Sequence, residues 1–154
     1  MLVHLIHFIY IFGLVCWIGS IIFFSFSAAP VIFKLLDREK AGEVVGVIFP
    51  RYYLLGYVCA ALTLPSLLSS TDNLLGVKQT LLFVMTVGWL YAGLFVSPKA
   101  RDLKAKIKFA SSTEEHEPLE AQFKKMHSLA VKLNGAVLLA GLGLLWFSTA
   151  GFHL

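Results

Sequence analysis

MLVHLIHFIYIFGLVCWIGSIIFFSFSAAPVIF, residues Met1–Phe33, contains no Lys, Arg, Asp or Glu. A helix crosses the hydrocarbon core of a bilayer with about 20 apolar residues, and this stretch exceeds that. A signal peptide has a basic start and an apolar core of roughly 7–15 residues. Met1–Phe33 has neither feature and reads as a retained transmembrane helix. Its surplus length implies tilt, or projection beyond the membrane.

The rest of the chain is of the same kind. It has 154 residues, room for one domain. Apolar residues make up 58% and charged ones 14%, against about 25% charged in an ordinary soluble domain. Thirteen Phe and three Trp add to the bias. A soluble core this small cannot hide so much apolar surface, so lipid is the expected solvent. Cys16 and Cys59 lie inside apolar runs and read as small hydrophobes, not as a disulfide.

Four spans follow from hydropathy: Leu2–Ile32, Tyr52–Leu68, Leu74–Val96 and Leu129–Ala150. The expected fold is all-α, an antiparallel four-helix transmembrane bundle forming a single domain over residues 1–154. Between the first two spans, Lys34–Pro50 places Leu36, Val44, Val47 and Ile48 at near-helical spacing among charges. That pattern predicts a short amphipathic helix on the membrane surface. Lys99–Met126 is a charged hairpin in which Ser111–Pro118 reads as a turn, with Pro118 in the first turn of the next helix. The fourth span begins as this soluble extension and enters lipid without a break. Small residues at four-residue spacing mark the packing faces: Cys16 and Ser20, Gly56 and Ala60, Gly88 and Ala92, Ala136 and Ala140.

Direction comes from the basic residues. Twelve of the thirteen lie at the first and third connections, and only Lys78 lies at the other end. The positive-inside rule puts loops 33–51 and 97–128 in the cytoplasm and both termini outside, in the periplasm of a bacterial inner membrane. The net charge of +4 does not point to nucleic acid, because the cations are confined to these two segments. The partners implied are the bilayer, anionic lipid headgroups, and a second copy or a larger membrane complex.

FKKMHSLAVKLNGAV, Phe123–Val137, opens the last span with His127, Lys132 and Asn134. His127, Val131 and Asn134 share one helical stripe. Lys132 reads as a residue snorkelling to the headgroups. His127 and Asn134 are expected to face inward, forming a binding cluster with Arg51, Tyr52, Lys34 and Glu43 at the cytoplasmic end. At the opposite end stand His4 and His7, one turn apart, and His153. Three imidazoles there invite a metal ion or a b-type haem, although no cofactor is required by the sequence. There is no nucleophile elbow, phosphate loop, zinc spacing or carboxylate pair, so an enzyme is not the favoured reading. No acidic residue lies deep in a span, which weighs against a proton-coupled carrier.

WIGSIIFFSF, AAPVIFKLL, AGEVVGVIFPRYY and FKKMHSLAVKLN together resemble the transmembrane protein 205 family and its bacterial relatives, whose domain has no assigned function. Trp17, Gly19, Pro30, Phe33, Phe49, Pro50, Tyr52, Phe123, His127 and Asn134 carry the likeness. The first helix alone is also similar to copper-resistance D-type proteins and membrane protoporphyrinogen oxidases. The chain departs from the family's His-Gly-Leu-Ser, having His127, Ser128, Leu129 and Ala130. The resemblance implies a small polytopic membrane protein, and the eukaryotic member's association with resistance to a platinum drug hints at export or trafficking. Three functions follow as expectations: export or handling of a small solute or metal complex, an accessory or scaffold role in a membrane complex, and haem or redox chemistry.

Overall fold

The computed structural model describes residues 2–65, 75–110 and 112–149. Nearly all of them are helical: α1 (Leu2–Phe23), α2 (Ala29–Leu35), α3 (Arg38–Thr63), α4 (Leu75–Tyr91), α5 (Ser97–Phe109) and α6 (Thr113–Thr149). Four continuous rods are long and apolar enough to cross a membrane: Leu2–Leu35, Arg38–Thr63, Gly76–Phe109 and Glu114–Thr149. This fits an integral membrane protein.

Two of the rods carry a π-helical turn, at Phe24–Ala28 between α1 and α2 and at Ala92–Val96 between α4 and α5. Each comes just ahead of a proline, Pro30 and Pro98. A proline ring has no N–H and crowds the carbonyl four residues back. The widened turn absorbs this: the Ala29 N–H donates to the Phe24 carbonyl, and the Ser97 N–H to that of Ala92. The helices therefore continue through both prolines.

The short surface helix expected between the first two spans is not a separate element. Lys34 and Leu35 end α2, an extended Leu36 and Asp37 make the turn, and Arg38–Thr63 is one helix with Pro50 inside it. The residue four back from Pro50 is Gly46, and the Arg51 guanidinium donates to the neighbouring Val47 carbonyl at 3.4 Å. The turn expected over Ser111–Pro118 is also shorter than its composition suggests. α6 starts at Thr113, and Pro118 lies inside it. Glu114 and Glu115 occupy its first turn, where negative charge suits the helix dipole.

The rods pack through one core. α3 and α6 each lie along α1, and α4 lies along α6; α3 and α4 touch far less. A Cβ on Gly13 would stand 3.0 Å from Leu62 and 3.3 Å from the Cys59 carbonyl, so α1 and α3 meet almost backbone to backbone there. Further along, Phe24 of the π turn stacks with Phe49 and Tyr52 of α3. Ile18 and Met85 converge on Gly141 of α6. Leu14, Trp17, Leu82, Met85, Val137 and Leu144 are fully enclosed. Most of the expected small residues serve this packing: Gly56, Ala60, Ala92 and Ala140 are buried, whereas Ala136 is exposed. Cys16 and Cys59 are free thiols.

Candidate functional site

Six aromatic rings from four elements meet in the interior. Trp17 comes from α1, Phe24 from the first π turn, Phe49, Tyr52 and Tyr53 from α3, and Trp89 from α4. Tyr52 and Tyr53 are sequence neighbours, yet both are buried, as are Cys59 and Ala60 two turns on, because the inward stripe of α3 is two residues wide. Trp89 is the hub. Its ring lies 4.9 Å from that of Tyr52, 5.1 Å from Tyr53 and 5.6 Å from Trp17, centre to centre. The Trp17 contact is edge-to-face at 86°, the arrangement favoured by ring quadrupoles.

Two glycines make room for these rings. The Trp89 indole fills the space that a Cβ on Gly56 would occupy. The Tyr53 ring and the Tyr57 hydroxyl close over Gly93 in the second π turn. The Trp89 Nε1–H donates to the Tyr53 carbonyl at 3.0 Å, which closes the sparse seam between α3 and α4.

The polar atoms of this centre are not all satisfied. Trp17 Nε1, Tyr52 Oη and Tyr53 Oη are buried with no hydrogen-bond partner within the chain, as are Thr86 Oγ1 and Asn134 Oδ1. A buried polar group without a partner destabilises a fold by about 1–3 kcal/mol. Three such groups around one indole are a departure from ordinary core packing, and functional sites are where such departures collect. Among the described residues no Asp, Glu, Lys, Arg or His is buried.

The cluster expected at the cytoplasmic end does not assemble. Tyr52 is in the aromatic centre. His127 is exposed and stacks on Phe123 of its own helix at 6.2 Å. Phe123, Met126, Ala130 and Asn134 form a half-buried stripe of α6 that leads to the buried Val137, and His127 and Val131 are exposed beside it. Asn134 alone of the pair turns inward. Lys34 and Arg51 are exposed, Arg51 being bound to its own helix.

Glu43 pairs elsewhere. Its Oε1 accepts from Lys108 Nζ of α5 at 3.0 Å, and Lys108 also lies 3.7 Å from Glu39. Lys104 crosses α3 over Gly42 and donates to the Glu39 carbonyl at 3.3 Å. The hydrogen bond and charge of Lys108 hold the Glu43 carboxyl below its ordinary range; Lys108 is raised in return. Desolvation pulls Lys104 down. This clasp was written in the sequence as two four-residue spacings, Glu39 with Glu43 and Lys104 with Lys108.

At the other end, His4 and His7 line a cleft of about 300 Å³ with Phe8, Ile11, Ser148 and Thr149. His153, the third imidazole expected there, lies outside the described residues. Among the described residues no three His, Cys, Asp or Glu side chains come together as a metal site.

No solved structure matches the chain. A protein of Aquifex aeolicus (strain VF5), described as uncharacterized, is similar to it: 33% identical over 121 residues, covering 79% of this chain and 80% of the relative. Residues 12–108 match the family described as "Domain of unknown function (DUF4149)". They take in the second half of α1, all of α2, α3 and α4 and most of α5, and with them every ring of the aromatic centre. The chain belongs to the DUF4149 family, a family of unknown function.

Proposed function

We propose that the chain is an integral membrane protein that captures a small lipid-soluble solute at its aromatic centre. The four rods cross the bilayer as an antiparallel bundle, with both termini outside a bacterial inner membrane and the α2–α3 and α5–α6 connections in the cytoplasm. Twelve of thirteen basic residues at those two connections support this orientation. The observation that carries the binding role is the set of three unpartnered, deeply buried polar groups, Trp17 Nε1, Tyr52 Oη and Tyr53 Oη, around Trp89. Solute handling of this kind accords with the resemblance to the transmembrane protein 205 family, and it moves the site from the cytoplasmic rim to the interior.

Native mass spectrometry on protein released from nanodiscs of native lipid tests the reading. The wild type should carry a small non-phospholipid adduct that the Tyr52→Phe/Tyr53→Phe variant loses. Identical spectra for the two proteins count against a binding role. Topology is tested separately with cysteines at exposed positions. An impermeant maleimide should reach His4→Cys from outside and Lys106→Cys only after the cells are opened.

A second reading, an accessory subunit, has an observation of its own. The α5–α6 hairpin carries an open groove of about 630 Å³ bordered by Ala105, Phe109, Pro118 and Leu119, with Lys106, Glu114 and Glu115 at its edge. Phe109 is 82% exposed beside it. Co-purification of one fixed partner, abolished by Phe109→Ser, favours that role.

A further inference from the structure

We infer that the ligand of the aromatic centre is a neutral, flat carbonyl compound of the quinone type, entering from the lipid between α3 and α4. This rests on the binding role proposed above and names its chemical class.

The chemistry of the unpartnered atoms sets the class. An indole N–H can only donate, and a phenol donates readily. Trp17 is fully enclosed, and Tyr52 and Tyr53 are each more than nine-tenths buried. What completes them is a hydrogen-bond acceptor. Charge narrows the choice. Among the described residues no Lys, Arg or His is buried where it could neutralise a carboxylate or phosphate, and an unpaired anion in an apolar medium is strongly disfavoured. A cation is attracted by ring faces but offers no acceptor to an N–H donor. A neutral carbonyl oxygen satisfies both conditions. The six rings touch in eight pairs at 4.9–6.1 Å, centre to centre, which leaves no gap for a further ring while Trp89 is in place, so the ligand takes the flat space that the indole vacates, against Trp17 and Tyr52.

The entry route follows from the packing. α3 and α4 form the least occupied interface between neighbouring rods. Trp89 closes it by lying in the Gly56 notch and donating to the Tyr53 carbonyl. Both anchors are on α3, across the seam from the indole. Rotation of Trp89 would break them together and uncover the donors behind it.

The test uses the full chain in nanodiscs. Trp146 is 70% exposed and is quenched by any quinone dissolved in the lipid, so the background is Trp146→Phe, leaving Trp17 and Trp89 as reporters. A short-chain benzoquinone, tetraphenylphosphonium and a medium-chain fatty acid anion are titrated in turn. The expected result is saturable quenching by the benzoquinone alone. Tyr52→Phe, Tyr53→Phe and Trp17→Phe should each weaken it about tenfold, the equivalent of one lost hydrogen bond of about 1.4 kcal/mol. The two Tyr→Phe changes keep the ring and remove an unpartnered polar atom, so those variants should be at least as stable as the parent; Trp17→Phe also shrinks a fully enclosed side chain and leaves Trp89 as the reporter, so it is read only beside them. Saturation by the cation or the anion in preference to the quinone overturns the chemical class and leaves the binding role standing. Quenching that rises linearly with quinone in the lipid and is equal in all variants overturns both.

Discussion

Gly56→Ala is the sharpest probe of the packing. The added Cβ falls within the Trp89 indole. That ring is 1% exposed and held by Trp17, Tyr52 and Tyr53, so it makes room only by giving up those contacts. Overpacking of a filled core costs about 1–3 kcal/mol. Displacing the indole also breaks its bond to the Tyr53 carbonyl, a further loss of about 1 kcal/mol. Alanine returns about 1 kcal/mol through its better helix propensity. The net expectation is a destabilisation of about 1–3 kcal/mol. Steric-trapping measurements of unfolding in bicelles read this directly. The cause is isolated by a double-mutant cycle with Trp89→Leu: in that background Gly56→Ala should be neutral or stabilising. Gly42→Ala is the control. Its nearest neighbours are atoms at the end of the Lys104 side chain, which can swing into water, so the change should be neutral or stabilising by up to about 1 kcal/mol. An equal loss from Gly56→Ala in both backgrounds, or none in either, refutes the account of Trp89 as a wedge.

Three other outcomes are expected. Ser148 gives its proton to the Leu144 carbonyl and accepts from Tyr10, each at 2.7 Å; Ser148→Ala strands the buried Tyr10 hydroxyl and should destabilise by about 1–3 kcal/mol, with partial recovery on adding Tyr10→Phe. Asn134→Leu removes a buried carbonyl oxygen that has no partner, so the same trapping assay should show it neutral or more stable by about 1 kcal/mol; a clear loss would reveal a hydrogen bond that Asn134 makes. The Glu43–Lys108 clasp should be complete across the neutral range. Glu43 is held below its ordinary range, so its contribution is present above that range and lost as pH falls through the lowered value. Lys108 is raised, so its contribution is present below the ordinary lysine range and lost as pH rises through the raised value. Spin labels at residues 44 and 106 should therefore show a narrow distance distribution at neutral pH that broadens at strongly acid pH; a distribution unchanged on acidification would mean the clasp does not hold α5 to α3.

What was legible in the sequence was whatever depends on local composition. The uncharged run Met1–Phe33, the proline-bounded apolar segments and the two basic connections each read on their own, because apolar transfer free energy adds up residue by residue along a helix. That sufficed for four helices of spanning length, for the unbroken passage from the hairpin into α6, and for the small residues at Gly56 and Ala92. It did not reveal which way His127 faces. In a soluble helix the apolar stripe marks the buried side, but on these rods the outer face is apolar as well: Phe26 is 71% exposed, Leu139 71% and Trp146 70%. With both sides oily, periodicity loses its power to tell inside from outside, and His127 and Asn134, one stripe in the sequence, end on different sides of the boundary. Only the tertiary structure set Trp17 edge-on to Trp89, 72 residues further along the chain, placed Lys108 on Glu43 and lodged an indole against Gly56. Those pairings depend on how the rods cross and on the half-step that each π turn adds ahead of its proline, and neither quantity is carried by any single segment.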